Sequence, residues 1–561
     1  MMAHTVPMNS SLLIRNARIY TVNPAQPWAE AIAISNDRIV WVGKDAEAKD
    51  WIGPQTRVID AQSQFMLPGL NDSHFHLLMG ARALDGAQLY TQQNVRELQA
   101  TVSAYAQSMP DRFWLRGRGW QYSAFADGSP IHRKWLDEIL PDRPFCADAF
   151  DGHSAWANTK ALELAGILSD ASQDPTGFGE VVRDGAGLAT GWLRESPAMD
   201  LVRNHIPQPT DDTVNQLLRR AIGLCHAAGL TSVQNMDNNA HAFEVFDAFD
   251  QRDELTLRVY LPMLVEASMK VEALEAWKKK TTRLGSRAAS SRLRTGCYKF
   301  FMDGVVEAKT AFMVEPYADG SGERGTPNFL QANFDALATK ADALGGQIFV
   351  HAIGDAAVRA TLNGFEAALK HNGRRDSRHR IEHIEVLHPQ DLPRFQQLGV
   401  LGSIQALHAE FGYDQNNPWL ALLGPGRWAQ GMAWRTLMNA GVPICQGSDW
   451  PVVSYDPRLG VQAAVTRRKF ADLSTWHLEG ASHVTPYVAN HAFTLAETIA
   501  GYTSIAAFAE FQENEKGRLK PGLLADLVVL DANWFEIAPP EIAQTKVMLT
   551  VSGGKIVHEA I

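Results

Sequence analysis

Phe65-Met-Leu-Pro-Gly-Leu-Asn-Asp-Ser-His-Phe-His-Leu77 is the stretch from which the fold of this chain can be worked out. Its apolar start breaks at Pro68-Gly69 and leads to His74 and His76, which are two residues apart. In an extended segment, residues at this spacing point to the same side, so both imidazoles can reach one cation. Two surface histidines in a loop are the alternative, because a His-x-His pair alone is a weak signal. The stretch predicts a strand that ends in part of a metal site.

Further strand-like runs in the middle of the chain favour a parallel β/α barrel. They lie near residues 230–237, 257–264, 298–303, 347–351, 380–383, 400–405 and 442–449, with helical patterns between most of them, such as 334–343, 356–370 and 389–398. Seven runs over about 220 residues give roughly 31 residues per strand–helix unit, the spacing of a (β/α)8 barrel. With residues 65–76 as the first strand, we predict an α/β fold with a (β/α)8 TIM barrel at residues 65–510.

Both ends of the chain are rich in β-forming residues. Residues 31–43 contain the polar turn Ser35-Asn36-Asp37 and predict a hairpin, and residues 524–530 and 547–558 have a similar composition. Neither end has enough strands to bury a face alone. We therefore predict one small β-sandwich domain built from both chain termini, residues 1–64 and 511–561.

One interval is too long for a single strand–helix unit. Between His76 and Leu230 a barrel needs one helix, and residues 213–228 have the helical pattern for it. The remainder, about residues 82–209, is predicted to be an insertion after barrel strand 1 that caps the active site. A separate domain facing elsewhere is the alternative.

Four more candidate site residues stand in or after later strand-like runs. His351, His383 and Asp449 end such runs, where catalytic residues of a barrel lie. Lys299 stands among apolar residues, where a free ammonium would be buried at a cost. The alternatives are hydrogen-bonded core histidines, a helix N-cap for Asp449 and an ion pair between Lys299 and Asp303 or another acid.

This order of residues resembles the amidohydrolase superfamily of metal-dependent hydrolases. Within it, the chain is most similar to the YtcJ-like, N-substituted formamide deformylase-like branch, over roughly residues 12–557. The motifs that carry this resemblance are Asp151-Gly-His-Ser-Ala-Trp-Ala-Asn158, Gly191-Trp-Leu-Arg-Glu195, His351-Ala-Ile-Gly-Asp355 and Gly447-Ser-Asp-Trp-Pro451. Gln405-Ala406 departs from the Gln-Pro expected in this branch, which puts the substrate in doubt.

The resemblance implies a metal site and a reaction. Lys299 would be carboxylated and bridge two divalent ions, with zinc the expected metal; an unmodified Lys299 would leave one ion. Asp449 would also be the general base for a metal-bound hydroxide that attacks an amide, formamide or carbamate and breaks its C–N bond. The implied ligands are His74 and His76 with Asp449 for one ion, His351 and His383 for the other, and Lys299 between them.

Three residues of the insertion are candidates for substrate recognition. His153 follows Asp151-Gly152 and would donate a hydrogen bond to the substrate carbonyl, although it could simply cap a turn. Trp120 and Trp156 would supply flat apolar walls and favour a bulky or aromatic small molecule.

Composition excludes several other classes of function. The formal charge of −10 gives no electrostatic signal for nucleic acid, and no apolar run is long enough for a membrane span. Four cysteines without a CxxC pair, and a start without a signal-peptide layout, predict a reduced, cytoplasmic protein. A homodimer is only the commonest default.

The sequence leaves two other functions open. A mononuclear aminohydrolase of the deaminase type uses the same barrel, but Gly354 stands three residues after His351 where a glutamate is expected. A non-catalytic relative that binds a small ligand has no need for the intact set of polar residues. Metal content separates these alternatives from a dinuclear hydrolase.

Overall fold

The computed structural model describes residues 10–125, 129–150, 152, 154–175, 179–237, 241–282, 292–409, 417–468 and 489–560. Eight parallel strands form one sheet in which neighbours follow chain order. Its two edges meet where Phe75 forms a parallel bridge with Trp450. This nearly closed sheet confirms the predicted (β/α)8 barrel. Its strands are Leu70–Phe75, Leu230–Asn235, Arg258–Leu264, Leu293–Phe301, Gln347–Ala352, Arg380–His383, Leu401–Ile404 and Ile444–Gln446.

The predicted first strand, residues 65–76, is two strands. Phe65–Pro68 pairs with Leu527–Leu530 in a different sheet, and the barrel strand begins after Gly69, at Leu70. A Cβ at Gly69 would lie 2.4 Å from the side-chain oxygen of Thr231, so the chain can pass here only without a side chain. Pro68-Gly69 therefore separates the two sheets, and the prediction of one continuous strand was wrong.

Two further sheets hold the strands of the chain ends, and strands from both ends share the larger of the two, which confirms the predicted additional β domain. The four-stranded sheet contains Arg38–Gly43, Ala31–Ser35, Leu12–Arg15 and Arg57–Asp60 in that order. The six-stranded sheet contains Lys555–Glu559, Val547–Ser552, Leu527–Leu530, Phe65–Pro68, Arg18–Tyr20 and Trp28–Ala29. Buried residues of both sheets, such as Ile14 and Leu549, form one apolar cluster. Because both sheets contribute to this cluster, each has its apolar face buried, which neither chain end could achieve alone.

Helices alternate with the barrel strands. The predicted helical segments 213–228, 334–343 and 356–370 correspond to the helices Asp211–Ala227, Gln331–Ala343 and Asp355–Asn372. The predicted segment 389–398 is a short 3-10 turn, Pro389–Asp391, followed by the helix Leu392–Leu398. The helices are Leu77–Ala83, Val95–Ser108, Lys134–Asp137, Thr159–Leu164, Glu195–Arg203, Asp211–Ala227, Ala242–Gln251, Val271–Thr281, Gln331–Ala343, Asp355–Asn372, Leu392–Leu398, Pro418–Leu423, Trp434–Asn439, Pro457–Thr466, Leu495–Gly501 and Ser504–Ala509. Within the described ranges, no helix combines the length and apolarity that a membrane crossing requires.

A second compact unit comprises Leu78–Ala221 and Pro451–Val453. Its sheet contains Glu180–Arg183, Ala189–Arg194, Ser154–Ala157, Phe145–Ala149, Leu115–Trp120 and Ala87–Gln88 in that order. Two apolar clusters of its own stabilise it. The domain limits drawn from the sequence, and the capping role given to residues 82–209, stay predictions.

Candidate metal centre

The first barrel strand carries two of the predicted ligands into a buried position. His74 is 1% and His76 is 7% exposed, and the backbone N–H of His76 donates to the carbonyl oxygen of Trp450 at 2.9 Å. His74 Nδ1 donates to Glu382 Oε2 at 2.7 Å, which directs its Nε2 towards Asp449. A carboxylate behind a metal-binding histidine fixes the tautomer and the ring orientation in the same way.

Asp449 follows the last barrel strand and meets both histidines. Its Oδ1 lies 3.3 Å from His74 Nε2 and 3.0 Å from His76 Nε2. Burial would raise the pKa of this carboxyl, but His74 and His76 outweigh that effect and hold it well below its usual range. The backbone of Asp449 is in the left-handed region, with φ +64°. Such backbone strain is common in residues at functional sites.

Glu382 and Arg380 form a buried ion pair behind the candidate ligands. Arg380 Nε donates to Glu382 Oε1 at 2.6 Å, and its Nη2 donates to the carbonyl oxygen of Ser73 at 2.7 Å. Burial raises the pKa of Glu382, yet Arg380 and His74 lower it overall, to about 2. Glu382 is therefore an anion, and it holds His74 from behind. The sequence analysis did not identify this role of Glu382. The available signal was that Arg380 and Glu382 are charged residues at alternate positions of an otherwise apolar strand.

Lys299 is fully buried, and its Nζ has no hydrogen-bond partner in the described part of the chain. Its amine lies 4.7 Å from the centre of the Phe301 ring. Burial lowers the pKa of Lys299 to about 8, although the charges of Glu382 and Asp449 oppose that shift. The alternative ion pair between Lys299 and Asp303 is absent among the described residues. The carboxylate of Asp303 instead accepts hydrogen bonds from the backbone N–H groups of Phe312, Ile353 and Gly354.

His351 and His383 pack against each other, with ring centres 4.5 Å apart. His351 Nε2 donates to the carbonyl oxygen of Gly304 at 3.1 Å. Burial, and then the charge of Lys299, lower the pKa of His351 to about 3. His383 has a left-handed backbone with φ +72°, and its buried Nδ1 has no partner among the described residues. His383 Nδ1 is therefore available to bind a metal ion.

His408 is a further member of the cluster that sequence reasoning missed. It follows the strand Leu401–Ile404, and its ring stacks on His383 with centres 5.8 Å apart. Its Nε2 lies 3.7 Å from Asp449 Oδ2, and its Nδ1 lies 3.6 Å from Glu385 Oε1. Burial lowers the pKa of His408, but Glu385 and Asp449 raise it overall. The rule that polar residues follow barrel strands would have identified it, had it been extended four residues beyond the strand.

The donor set fits divalent cations. Ligand atoms of His74, His76 and Asp449 lie within 4.8 Å of one another, and so do those of His383, His408 and Asp449. The 3.0 and 3.3 Å spacings around Asp449 Oδ1 match the ~3.3 Å edge of a tetrahedral zinc shell with Zn–N distances near 2.1 Å. Imidazole and carboxylate ligands also suit other first-row metals.

Trp120 and Trp156 have a different structural role from the predicted one. Both indoles are fully buried in an apolar cluster of the second unit. Trp120 Nε1 donates to the carbonyl oxygen of Ala147 at 2.9 Å, and Trp156 Nε1 to that of His132 at 3.1 Å. The burial of both side chains argues against the predicted role as substrate walls. The predicted His153 lies outside the described residues.

Comparisons with known proteins extend over nearly the whole chain. A family model described as "Amidohydrolase family" matches residues 57–558. The chain is 29% identical to the putative amidohydrolase YtcJ of Bacillus subtilis, over 96% of this chain and 98% of the relative. It is 26% identical to the N-substituted formamide deformylase of Arthrobacter pascens, over 98% of both. The crystal structure of an uncharacterized metal-dependent hydrolase from Pyrococcus horikoshii has the same fold, with a TM-score of 0.73, 23% identity, and coverage of 94% of this chain and 99% of that one.

Proposed function

This chain belongs to the amidohydrolase family of metal-dependent hydrolases, and from that premise we propose that it cleaves a non-peptide C–N bond in a small molecule. The bond is that of an amide, formamide or carbamate. The observation that carries the proposal is the meeting of His74, His76 and Asp449 at the carboxyl ends of the first and last barrel strands. In a TIM barrel this end of the strands is where catalysis takes place.

The residues divide into two groups of ligands. His74 and His76 with Asp449 would hold one ion, and His351 and His383 would hold the other. His408 is close enough to Asp449 to support the second group. Bound ions supply Lewis acidity, which lowers the pKa of water and polarises a carbonyl group. Zinc is the proposed metal because imidazole and carboxylate donors suit it.

Lys299 is proposed to bridge the ions as a carbamate. Its Nζ lacks a hydrogen-bond partner in the described structure, and its pKa of about 8 leaves part of the amine neutral near physiological pH. The ammonium first loses one proton, and the neutral amine then adds carbon dioxide at Nζ and releases a second proton. A buried cation would thereby become an anion with two oxygens that can act as ligands. If Lys299 stays unmodified, the four predicted histidines and Asp449 hold a single ion.

Asp449 is proposed as the general base. Its low pKa keeps the carboxylate ionised, and its Oδ1 already lies beside both histidines of the first strand. It takes a proton from the attacking water and passes it to the leaving nitrogen, so the proton is conserved through the reaction. His153 is proposed from sequence alone to donate a hydrogen bond to the substrate carbonyl.

The name of the Arthrobacter relative makes N-substituted formamides the first substrates to test. The bulky or aromatic character predicted from Trp120 and Trp156 loses its support, because both indoles are buried. Purified, metal-loaded protein should hydrolyse at least one member of a panel of N-formyl, N-acyl and carbamate compounds, and the Asp449→Asn variant should not.

Metal analysis of the same preparation separates the alternatives. Two ions per chain support the bridged site, and one ion supports either an unmodified Lys299 or a deaminase. Ammonia release from aminated nucleobases without hydrolysis of the panel would favour the deaminase. Absence of both stoichiometric metal and hydrolysis would overturn the proposal in favour of a non-catalytic ligand-binding relative.

A further inference from the structure

A cavity of about 600 Å³ lies at the amino-terminal ends of barrel strands, at the opposite ends from the candidate metal centre. One of these strands begins with Arg258 and Val259, which line the cavity. The next strand begins with the lining residues Leu293 to Gly296 and contains Lys299 further along. The volume is in the range of about 300–1,000 Å³ that is usual for small-molecule sites. The candidate metal residues do not line this cavity, so it is a separate feature of the barrel unit.

The lining of the cavity is strongly cationic although the whole chain carries −10. Its cationic side chains are Arg38, Arg258, Lys278, Arg292, Arg294 and Lys516. Four of them share three carboxylates: Arg38 pairs with Glu515, Arg258 with Asp526, and both Arg294 and Lys516 with Glu510. The cluster therefore retains a surplus of positive charge in a protein that repels anions overall.

Arg292 and Lys278 contribute most of this surplus. Arg292 Nη1 donates to the carbonyl oxygen of Thr256 at 2.7 Å and to Ser552 Oγ at 2.6 Å, so the hydrogen-bond acceptors of this nitrogen are neutral. The carboxylates that act on Arg292 through their charge are Asp526, Asp253 and Asp250. Nη2 of Arg292 and Nη2 of Arg258 lie 2.8 and 3.3 Å from the Cβ position of Gly553, so the two guanidinium groups are neighbours. Burial and the charge of Arg258 lower the pKa of Arg292. Lys278 is exposed and forms no ion pair in the described chain.

We propose that this cavity binds a small molecule through a diphosphate or longer oligophosphate group. Guanidinium groups match the geometry of phosphate oxygens with paired hydrogen bonds, and a lysine adds a mobile point charge. The negative charge of a diphosphate is comparable to the unpaired positive charge of the lining. A bound anion would relieve the repulsion between Arg258 and Arg292. The group is either free inorganic oligophosphate or part of a nucleotide.

Calorimetric titration of the full-length protein with inorganic pyrophosphate, at constant ionic strength, is the test. We expect saturable binding and a rise in Tm with ligand concentration, since a ligand that binds only the folded state stabilises it. A parallel titration with adenosine diphosphate distinguishes the two sources: tighter binding than pyrophosphate assigns the cavity to nucleotides, and weaker binding assigns it to the inorganic anion.

Matched variants locate the binding. Lys278→Gln should weaken binding about threefold. Lys279→Gln removes the same charge from the next residue of the same helix, which does not line the cavity, and should leave the affinity unchanged. Arg292→Gln should weaken binding about tenfold. Equal effects of the two lysine variants, or a Tm rise reproduced by chloride at the same ionic strength, would overturn the proposal. Hydrolase activity plays no part in this test, so its outcome is independent of the proposed reaction.

Discussion

The backbone N–H of Asp449 donates to the carbonyl oxygen of His74 at 2.7 Å. This hydrogen bond joins the segment that follows the last barrel strand to the end of the first strand, and it brings Asp449 Oδ1 to 3.3 Å from His74 Nε2. The distance between these two candidate ligands therefore depends on the closure of the barrel. A substitution at the junction, where the first and last barrel strands meet, should weaken metal binding.

Gly447 offers a direct test of that dependence. A Cβ at this position would lie 2.4 Å from the backbone nitrogen of His74 and 2.6 Å from Asp72 Oδ1, and backbone cannot move away cheaply. Gly447→Ala should therefore lose most of its metal and activity, as measured by metal analysis and turnover. Gly426→Ala is the matched control, since nothing lies within 4 Å of its Cβ position. Full metal content in Gly447→Ala would show that the junction tolerates displacement.

Asp449→Asn should fold normally and lose about 10²–10⁴-fold in turnover. Asparagine has nearly the same shape and tolerates the left-handed backbone at this position, φ +64°, so thermal stability should change little. It can neither accept a proton nor supply the full ligand charge. Steady-state kinetics on the substrate found by the screen is the measurement. Turnover above about a tenth of the wild-type value would remove Asp449 from the role of general base.

Lys299→Ala should lose metal and activity together if the lysine bridges two ions. Because the substitution leaves a space beside the centre, a short carboxylic acid such as acetate should restore part of both. Lys299→Met fills that space without an amine and should not respond to acetate. Equal responses of the two variants, or a wild-type metal content in either, would argue against a carbamate bridge.

Trp120→Ala should lower the free energy of unfolding by about 3–5 kcal/mol, as expected for the loss of a large aromatic side chain from a core. Trp28→Ala removes the same side chain from a position that is 40% exposed and should cost much less. Denaturant unfolding compares the two. A raised KM with unchanged stability in Trp120→Ala would instead restore the substrate-wall role predicted from the sequence.

His226 should make the protein less stable in mild acid. Burial lowers its pKa to about 4, while its Nδ1 donates to the carbonyl oxygen of Leu230 and its Nε2 accepts from Thr256 Oγ1. Between pH 6.5 and 4 the unfolded chain binds a proton that the folded chain does not, so stability falls as the pH falls through this window. From pH 7 to 5 this group should cost about 2 kcal/mol.

Denaturant unfolding at pH 7 and pH 5 should show that His226→Gln has a smaller loss than the wild type, because the titrating group is gone. His371→Gln, at an exposed position, should behave as the wild type does. An unchanged loss in His226→Gln would assign the acid sensitivity to other groups.

The sequence by itself determined the barrel, the terminal β domain and the order in which candidate ligands occur. These features depend on local periodicity and on the rule that functional residues follow the strands of a barrel, both of which can be read along one chain. The strand break at Pro68-Gly69 was also visible, but not its consequence, because the partner that limits Gly69 is Thr231 on another strand.

Only the tertiary structure decided which side chains meet. Glu382 acts on His74, and His408 reaches Asp449, through contacts between strands that are distant along the chain. The same holds for Trp120, whose polar neighbours in sequence gave no sign that its ring would be fully buried. Periodicity gives the direction of a side chain relative to its own element, whereas its partners depend on how the elements pack.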